Sequence, residues 1–252
     1  MIGKHYILTG ATSGLGKSIL TLLLEKQAYV TVLVRHPEKL KSLHQYLDKT
    51  RLTIVTCDLQ SQSEILNLKH TFQGQSIDGI IYSAGLGYFK AIDQHTNSEM
   101  LETYTLNVIN FNLLLNTLQP FLVSQCKIIG IGSQSAFLTQ AYAAHYGASK
   151  AAFNQVLNAL RIERPHYHVL TVNTGPIATP FHEKADPSLS FAKKYKHLML
   201  DPDYLAKQII DGMITGKTEI NAPKWMHVLL RFYQLSPRLI EKYFTFLFKN
   251  KA

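Results

Sequence analysis

Residues 9–18 read Thr9-Gly10-Ala11-Thr12-Ser13-Gly14-Leu15-Gly16-Lys17-Ser18, and the way this stretch holds phosphate decides the fold. A loop that wraps a nucleoside triphosphate needs G-x-x-x-x-G-K-[ST], so that backbone N–H groups, a lysine and a magnesium-binding hydroxyl act together. Gly16-Lys17-Ser18 supplies the end of that pattern, but its first glycine should stand at position 11, which is Ala11; Gly10 comes one position early. The run 52–57 followed by Asp58 could serve such a site as its metal-side acid. In the alternative, a dinucleotide loop, Gly10 makes the tight turn after a strand, and Gly14 and Gly16 let backbone and helix approach a pyrophosphate. Lys17 is then an ordinary helix residue. The spacing G-x-x-x-G-x-G departs from the commoner G-x-G-x-x-G, so the loop alone leaves both readings open.

Outward from the loop, apolar β-branched runs recur at 5–9, 29–34, 52–56, 77–82, 127–131 and 169–173. Their apolar character is continuous rather than alternating, as in strands buried on both faces. Helix-length segments separate them at 15–26, 37–47, 62–71, 98–118 and 142–163. Pro37 and Glu38 suit a first helical turn, and Ser61 with Glu64 fits a capping box. Strands alternating with helices predict an α/β domain, a doubly wound parallel sheet between two helical layers with right-handed crossovers. The stretch 180–202, with Pro180, Pro187 and Pro202, breaks the rhythm at the carboxyl end of a late strand, where such sheets bind ligands.

The 252 residues, 46% hydrophobic and 17% charged, suffice for one domain spanning 1–252. Cys57 and Cys126 lack ligand-like spacing, and no leader-like segment precedes the first strand, so a reduced, cytoplasmic protein is expected. No apolar run reaches the ~18–20 residues needed to span a bilayer. The net charge of +9 suits anionic lipid, nucleic acid or phosphorylated ligands.

A second constellation arbitrates the loop. In Tyr146-Gly147-Ala148-Ser149-Lys150 the phenol and the ammonium project from one helix face at i, i+4. The ammonium favours phenolate and is expected to lower a pKa near 10 toward the working range of an acid/base catalyst. Ser133 follows the strand at 127–131 at its carboxyl end, where a hydroxyl could hold a carbonyl oxygen.

With the glycine loop, Ser133 and Tyr146/Lys150 in this order, the sequence resembles the short-chain dehydrogenase/reductase family, whose fold is Rossmann-like. The likeness extends over about the first 215 residues. It implies that Gly10, Thr12, Ser13, Gly14, Leu15 and Gly16 cradle the dinucleotide, and that Asp58 and Leu59 meet adenine. Ala84 and Gly85 then follow the fourth strand, Asn107 holds a helix irregularity and a water in the proton relay, and Ile177 and Thr179 contact the nicotinamide carboxamide. Two departures stand out: Tyr82-Ser83-Ala84-Gly85 where the family usually has Asn-Asn-Ala-Gly, and Thr174 where proline is common. The second strand ends in Arg35-His36 with no acid for the ribose hydroxyls, so NADP(H) is expected over NAD(H), with His36 assisting Arg35.

By the same resemblance, Tyr146 protonates a developing alkoxide, Lys150 lowers the tyrosine pKa and binds the nicotinamide ribose, and Ser133 polarises the carbonyl. A homo-oligomer, dimer or tetramer, is expected. An apolar substrate wall is expected from Phe89, Phe137, Leu138, Tyr142, Phe181, Leu189 and Phe191. Residues 223–252 form a basic, aromatic, helical tail, with six Lys/Arg against Glu241, and Leu239, Ile240, Tyr243, Phe246 and Leu247 on one face. This tail reads as an appendage that seats on an anionic membrane or packs on a protein; nucleic acid is not expected. The competing function is a non-catalytic NADP-binding sensor or scaffold recruited through that tail.

Overall fold

The computed structural model of the chain describes residues 1–40, 50–189, 193 and 195–248, with the side chains of Phe246 and Leu247 left aside. Seven parallel strands form one sheet: β1 (His5–Thr9), β2 (Tyr29–Val34), β3 (Leu52–Thr56), β4 (Ile77–Tyr82), β5 (Leu122–Ile131), β6 (His168–Thr174) and β7 (Glu219–Ala222). Their order is β3-β2-β1-β4-β5-β6-β7, so the direction of winding reverses between β1 and β4. The loop after β1 therefore opens at the crevice where the two halves of the sheet diverge.

Helices cover both faces, and successive residues of β1 feed opposite layers. Tyr6 and Leu8 pack with Ile19, Leu20 and Leu23 of α1 (Gly14–Glu25) and with Leu205, Ile209 and Met213 of the helix Pro202–Thr215. Ile7 joins the other layer, built from α2 (Gln62–Thr71), α4 (Asn110–Leu118) and α5 (Ala144–Glu163), where Phe111, Phe153 and Leu157 are buried. The pleat thus distributes one apolar strand between two cores, which is why these runs lack alternation.

The remaining helices are α3 (Asn97–Tyr104), α6 (Phe181–Ala185), α7 (Pro202–Thr215), α8 (Lys224–Leu235) and α9 (Pro237–Tyr243). The six expected strands are all present, but β7 has no counterpart in the sequence reading. It is short and edge-placed, with only Ile220 and Ala222 buried, so it shows no continuous apolar run. The single helix expected over 98–118 is interrupted by a π-helical turn at Thr105–Ile109, with Asn107 buried inside it. Of the helix expected over 37–47, a 3₁₀ turn at Pro37–Leu40 is present and residues 41–47 lie outside the described residues. The Ser61 side chain caps α2 by accepting from the Glu64 N–H, but Glu64 turns away to accept from the Asp58 N–H. The reciprocal half of that box is missing; a complete one joins Thr96 and Glu99.

Ser18 ties the two helices of one layer together. Its hydroxyl donates to the Asp203 carboxylate in the first turn of α7. Ser18→Ala removes a charge-assisted hydrogen bond and is expected to lower the unfolding free energy by about 1–2 kcal/mol, read as a lower urea midpoint with unchanged slope.

Candidate active site

The glycine loop leads straight from β1 into α1. Gly10 takes φ +71°, and a Cβ there would stand 2.9 Å from the Ala84 nitrogen at the end of β4. A Cβ on Gly16 would collide with the Gly10 carbonyl, so the helix can begin this close to the strand only as glycine. Ser13, the N-cap of α1, makes no side-chain cap, and no acid lies in the first turn. Backbone donors and the helix's positive end are thereby left to an anion. Thr179 lies over the loop, its Cγ2 2.6 Å from where a Gly14 Cβ would be. Lys17 is exposed and is not among the described residues that line the cleft above the sheet, while Ser18 is occupied with Asp203. These are poor credentials for the lysine and hydroxyl of a triphosphate loop.

The unusual Ser83-Ala84 after β4 is accommodated from β1. Thr9 Oγ1 accepts from both the Ser83 and the Ala84 N–H, at 3.1 and 3.0 Å. The rearranged hydrogen bonding expected for this departure thus passes through one buried hydroxyl.

A cleft of about 960 Å³ runs from the glycine loop across the carboxyl ends of the strands. Gly10, Thr12, Ser13, Gly14, Leu15 and Gly16 line one end, with Arg35, His36, Asp58 and Leu59 beyond them. Ala84 and Thr179 line the cleft beside the glycine loop, and Gly85, Ser133, Tyr146, Lys150 and Ile177 line it as well. Lys39 also lines the cleft; in sequence it is one more solvated lysine of a helix-like segment. Arg35 is half-exposed, with Nε 3.9 Å from the Asp58 carboxylate, and His36 Nδ1 lies 3.2 Å from Glu38. Three basic side chains where β2 ends suit a phosphate on the ribose.

Deeper in, Lys150 Nζ donates to the Ile131 carbonyl at 2.9 Å. One helical turn toward the N-terminus, Tyr146 lines the cleft together with Ser133, whose hydroxyl acts on the phenol and donates to the Thr174 carbonyl at 3.4 Å. Ser133 is further held by accepting from the Ser135 N–H at 3.1 Å. Asn107 pins Leu86, accepting from its N–H at 3.0 Å and donating to its carbonyl at 2.8 Å, and also donates to Ser149 Oγ at 2.9 Å. The asparagine thereby links the π turn, the wall after β4 and the helix that carries Tyr146.

One electrostatic expectation is reversed. Burial raises the Tyr146 phenol above its ordinary pKa, with the Ser133 hydrogen bond pulling the other way. Lys150 does not lower it here, because its Nζ is 5.9 Å from the Tyr146 ring centre and has itself lost water; burial pushes the ammonium down to about 8.

The substrate wall is also redistributed. Phe89 and Phe181 enclose Tyr146, with ring centres 5.8 and 5.6 Å from it, and Leu138 lines the cleft. Phe137 instead packs against His227 and under Arg231, outside the cleft. Tyr142 and Leu189 are not among the described residues of the wall, and Phe191 lies outside the described residues. Their place is taken by Trp225, Met226, Leu229 and Leu230 of α8. The tail is therefore less of an appendage than its composition suggests. Gln134 Nε2 donates to the Pro223 carbonyl, the Thr139 N–H to the buried Tyr233 hydroxyl, and the Ala141 N–H to the Phe248 carbonyl.

Comparison with known proteins gives a family match: the short chain dehydrogenase model covers residues 4–189. An uncharacterized oxidoreductase of Staphylococcus aureus strain MW2 is 26% identical over 226 residues, 86% of this chain and 94% of its own. An NADPH-dependent 3-dehydrocapnine reductase of Ornithobacterium rhinotracheale is 28% identical over 193 residues, 72% of this chain and 68% of its own. Among solved structures, a short chain dehydrogenase from Burkholderia cenocepacia J2315 in complex with NADP superposes with TM-score 0.79 at 20% identity, covering 96% of this chain and 97% of that one. A short chain dehydrogenase/reductase from Burkholderia phymatum in complex with NAD does so with TM-score 0.83 at 13% identity, covering 94% and 95%.

The displaced lysine equilibrium has a measurable sign. Between about pH 8 and the unfolded lysine value of 10.5, the folded chain holds fewer protons at Lys150 than the unfolded chain, so folding gains stability as pH rises through that window. Urea midpoints of the parent and Lys150→Met are expected to shift in the parent's favour across it, by on the order of 2–3 kcal/mol. A parallel response of the two proteins would contradict the assignment.

Proposed function

The chain belongs to the short-chain dehydrogenase/reductase family and is an oxidoreductase of Rossmann-like fold, and from that premise we propose that it is an NADP(H)-dependent carbonyl reductase acting on an apolar or amphipathic ketone, aldehyde or 3-oxoacyl compound, or on the matching alcohol. The observation that carries this reading is that Ser133, Tyr146 and the buried Lys150 line one cleft together with the glycine loop.

The nicotinamide, when bound, supplies a hydride to a carbonyl carbon or accepts one from an alcohol. Gly10, Thr12, Ser13, Gly14, Leu15 and Gly16 hold the pyrophosphate with backbone donors, Asp58 and Leu59 flank adenine, and Ala84, Gly85, Ile177 and Thr179 border the nicotinamide end. Arg35 meets the 2′-phosphate, with His36 and Lys39 assisting. Both NADP-bound and NAD-bound proteins share this fold, so the preference for NADP(H) rests on that basic group and on the absence of an acid at the end of β2.

In reduction, Ser133 donates to the substrate carbonyl oxygen and draws electron density toward it. Tyr146 gives its proton to that oxygen as negative charge develops, and its raised pKa in the ligand-free protein keeps the phenol protonated for this purpose. Lys150, held on the Ile131 carbonyl, would hydrogen-bond the nicotinamide ribose. Asn107 is a positioning residue that fixes Leu86 and the turn beneath Tyr146. Phe89, Phe181 and Leu138 exclude water from the reacting carbonyl. Membership of the family supports assembly as a homo-oligomer.

NADPH oxidation against ketones, aldehydes and 3-oxoacyl thioesters tests the reading. Tyr146→Phe is expected to lose about 10²–10⁴-fold in kcat while NADPH still binds. Full turnover by Tyr146→Phe would refute the role of the phenol; tight NADPH binding with no turnover by the parent would make the protein a sensor. Independently, Arg35→Asp is expected to move preference toward NADH by about tenfold or more, through loss of a charged phosphate contact.

A further inference from the structure

The face of α8 turned away from the protein is apolar. Leu235, Val228, Phe232, Trp225 and Leu229 occupy a contiguous arc of the helix, while Met226, Leu230 and Tyr233 turn inward. Trp225 is 52% exposed, Phe232 63% and Leu235 80%. The surface continues onto α9, where Leu239 and Tyr243 are exposed as well. Lys224 and Arg231 border the arc along one side and are both exposed.

Charge selects the occupant. Residues 223–252 carry six Lys/Arg against the lone acid Glu241. That acid is consumed internally, accepting from Arg238 at 2.7 Å and from Tyr233 at 2.6 Å. A second copy seated here would set two cationic tails face to face, whereas lipid phosphates match the cations and acyl chains match the rings. Position points the same way: Trp225 and Leu229 belong both to the exposed arc and to the wall of the catalytic cleft. Among the described residues no helix is long and apolar enough to cross a membrane, so the contact is with a surface.

We propose that the exposed face of α8, continued by α9, docks on an anionic bilayer surface, with the cleft mouth opening at the lipid so that an amphipathic carbonyl substrate enters from the membrane. The protein is then membrane-associated through its C-terminal region without spanning the bilayer. The entry step rests on the oxidoreductase reading above; the docking does not.

The chain's single tryptophan is Trp225, which makes it an intrinsic reporter of docking. Full-length protein mixed with phosphatidylglycerol/phosphatidylcholine vesicles is expected to show a blue-shifted emission and to co-sediment, and to do neither with phosphatidylcholine alone. Val228→Asp/Phe232→Asp, whose sites lie outside the cleft wall, should weaken partition by roughly tenfold or more, while turnover of a water-soluble ketone is unchanged. Lys224→Glu/Lys242→Glu should weaken it at low salt without altering the fold. Absence of partition by the parent, or equal partition by the Asp variant, overturns the proposal. So does a parent dimer that the Asp variant splits while neither binds vesicles, which would give the face to a second copy. Docking without turnover of any ketone, aldehyde or 3-oxoacyl thioester would sink the carbonyl-reductase reading and leave the docking intact.

Discussion

The hydrogen bond from the Lys150 ammonium to the Ile131 carbonyl is the contact on which the geometry of the site turns. It joins α5 to the carboxyl end of β5 and so fixes the height of the helix over the sheet. Tyr146 lies one turn above the lysine and Ser133 two residues beyond Ile131, so a single register brings both to the wall of the cleft. The lysine is almost completely buried, and such a group persists only where the surrounding packing over-determines it. Phe153, whose ring lies 5.5 Å from Nζ, belongs to the core beneath. The chemistry and the core are therefore one construction: the layer that stabilises the domain also holds the charge.

Elements whose identity depends on local chemistry were legible in the sequence. Strands β1 and β2 announce themselves because burial on both faces favours nearly continuous apolar runs, as at 5–9 and 29–34; β4 does so at 77–82 despite Asp78, and β3, at the sheet edge with Thr53 and Thr56 exposed, is marked by its β-branched composition. The glycine loop and the Tyr146/Lys150 pair were legible because few residue types satisfy those geometries at those spacings. Strand β7 was not, since an edge strand of alternating polarity carries little apolar signal. The irregularity at Asn107 was legible through the family resemblance and not through periodicity, because one extra residue in a helical turn leaves the apolar pattern of the segment nearly unchanged.

What sequence could not supply was long-range company. Ser18 reads as the end of a phosphate loop until α7 brings Asp203 to it. Phe137 reads as a substrate contact until α8 draws it toward His227. Lys39 gains meaning only from the cleft that its neighbours form. The tail is the largest instance. Its aromatic and basic composition is legible, but its role as one wall of the cleft depends on Gln134, Thr139 and Ala141, nearly a hundred residues earlier in the chain.

The packing around the Tyr146 ring has an entropic consequence. A Cβ on Gly87 would strike that ring, and Phe89 and Phe181 stand edge-on or tilted against it. The phenol therefore surrenders its rotational freedom when the chain folds, not when a ligand arrives. A carbonyl compound entering the cleft meets a proton donor whose direction is already set, and none of its binding free energy is diverted to orienting the side chain that reacts with it.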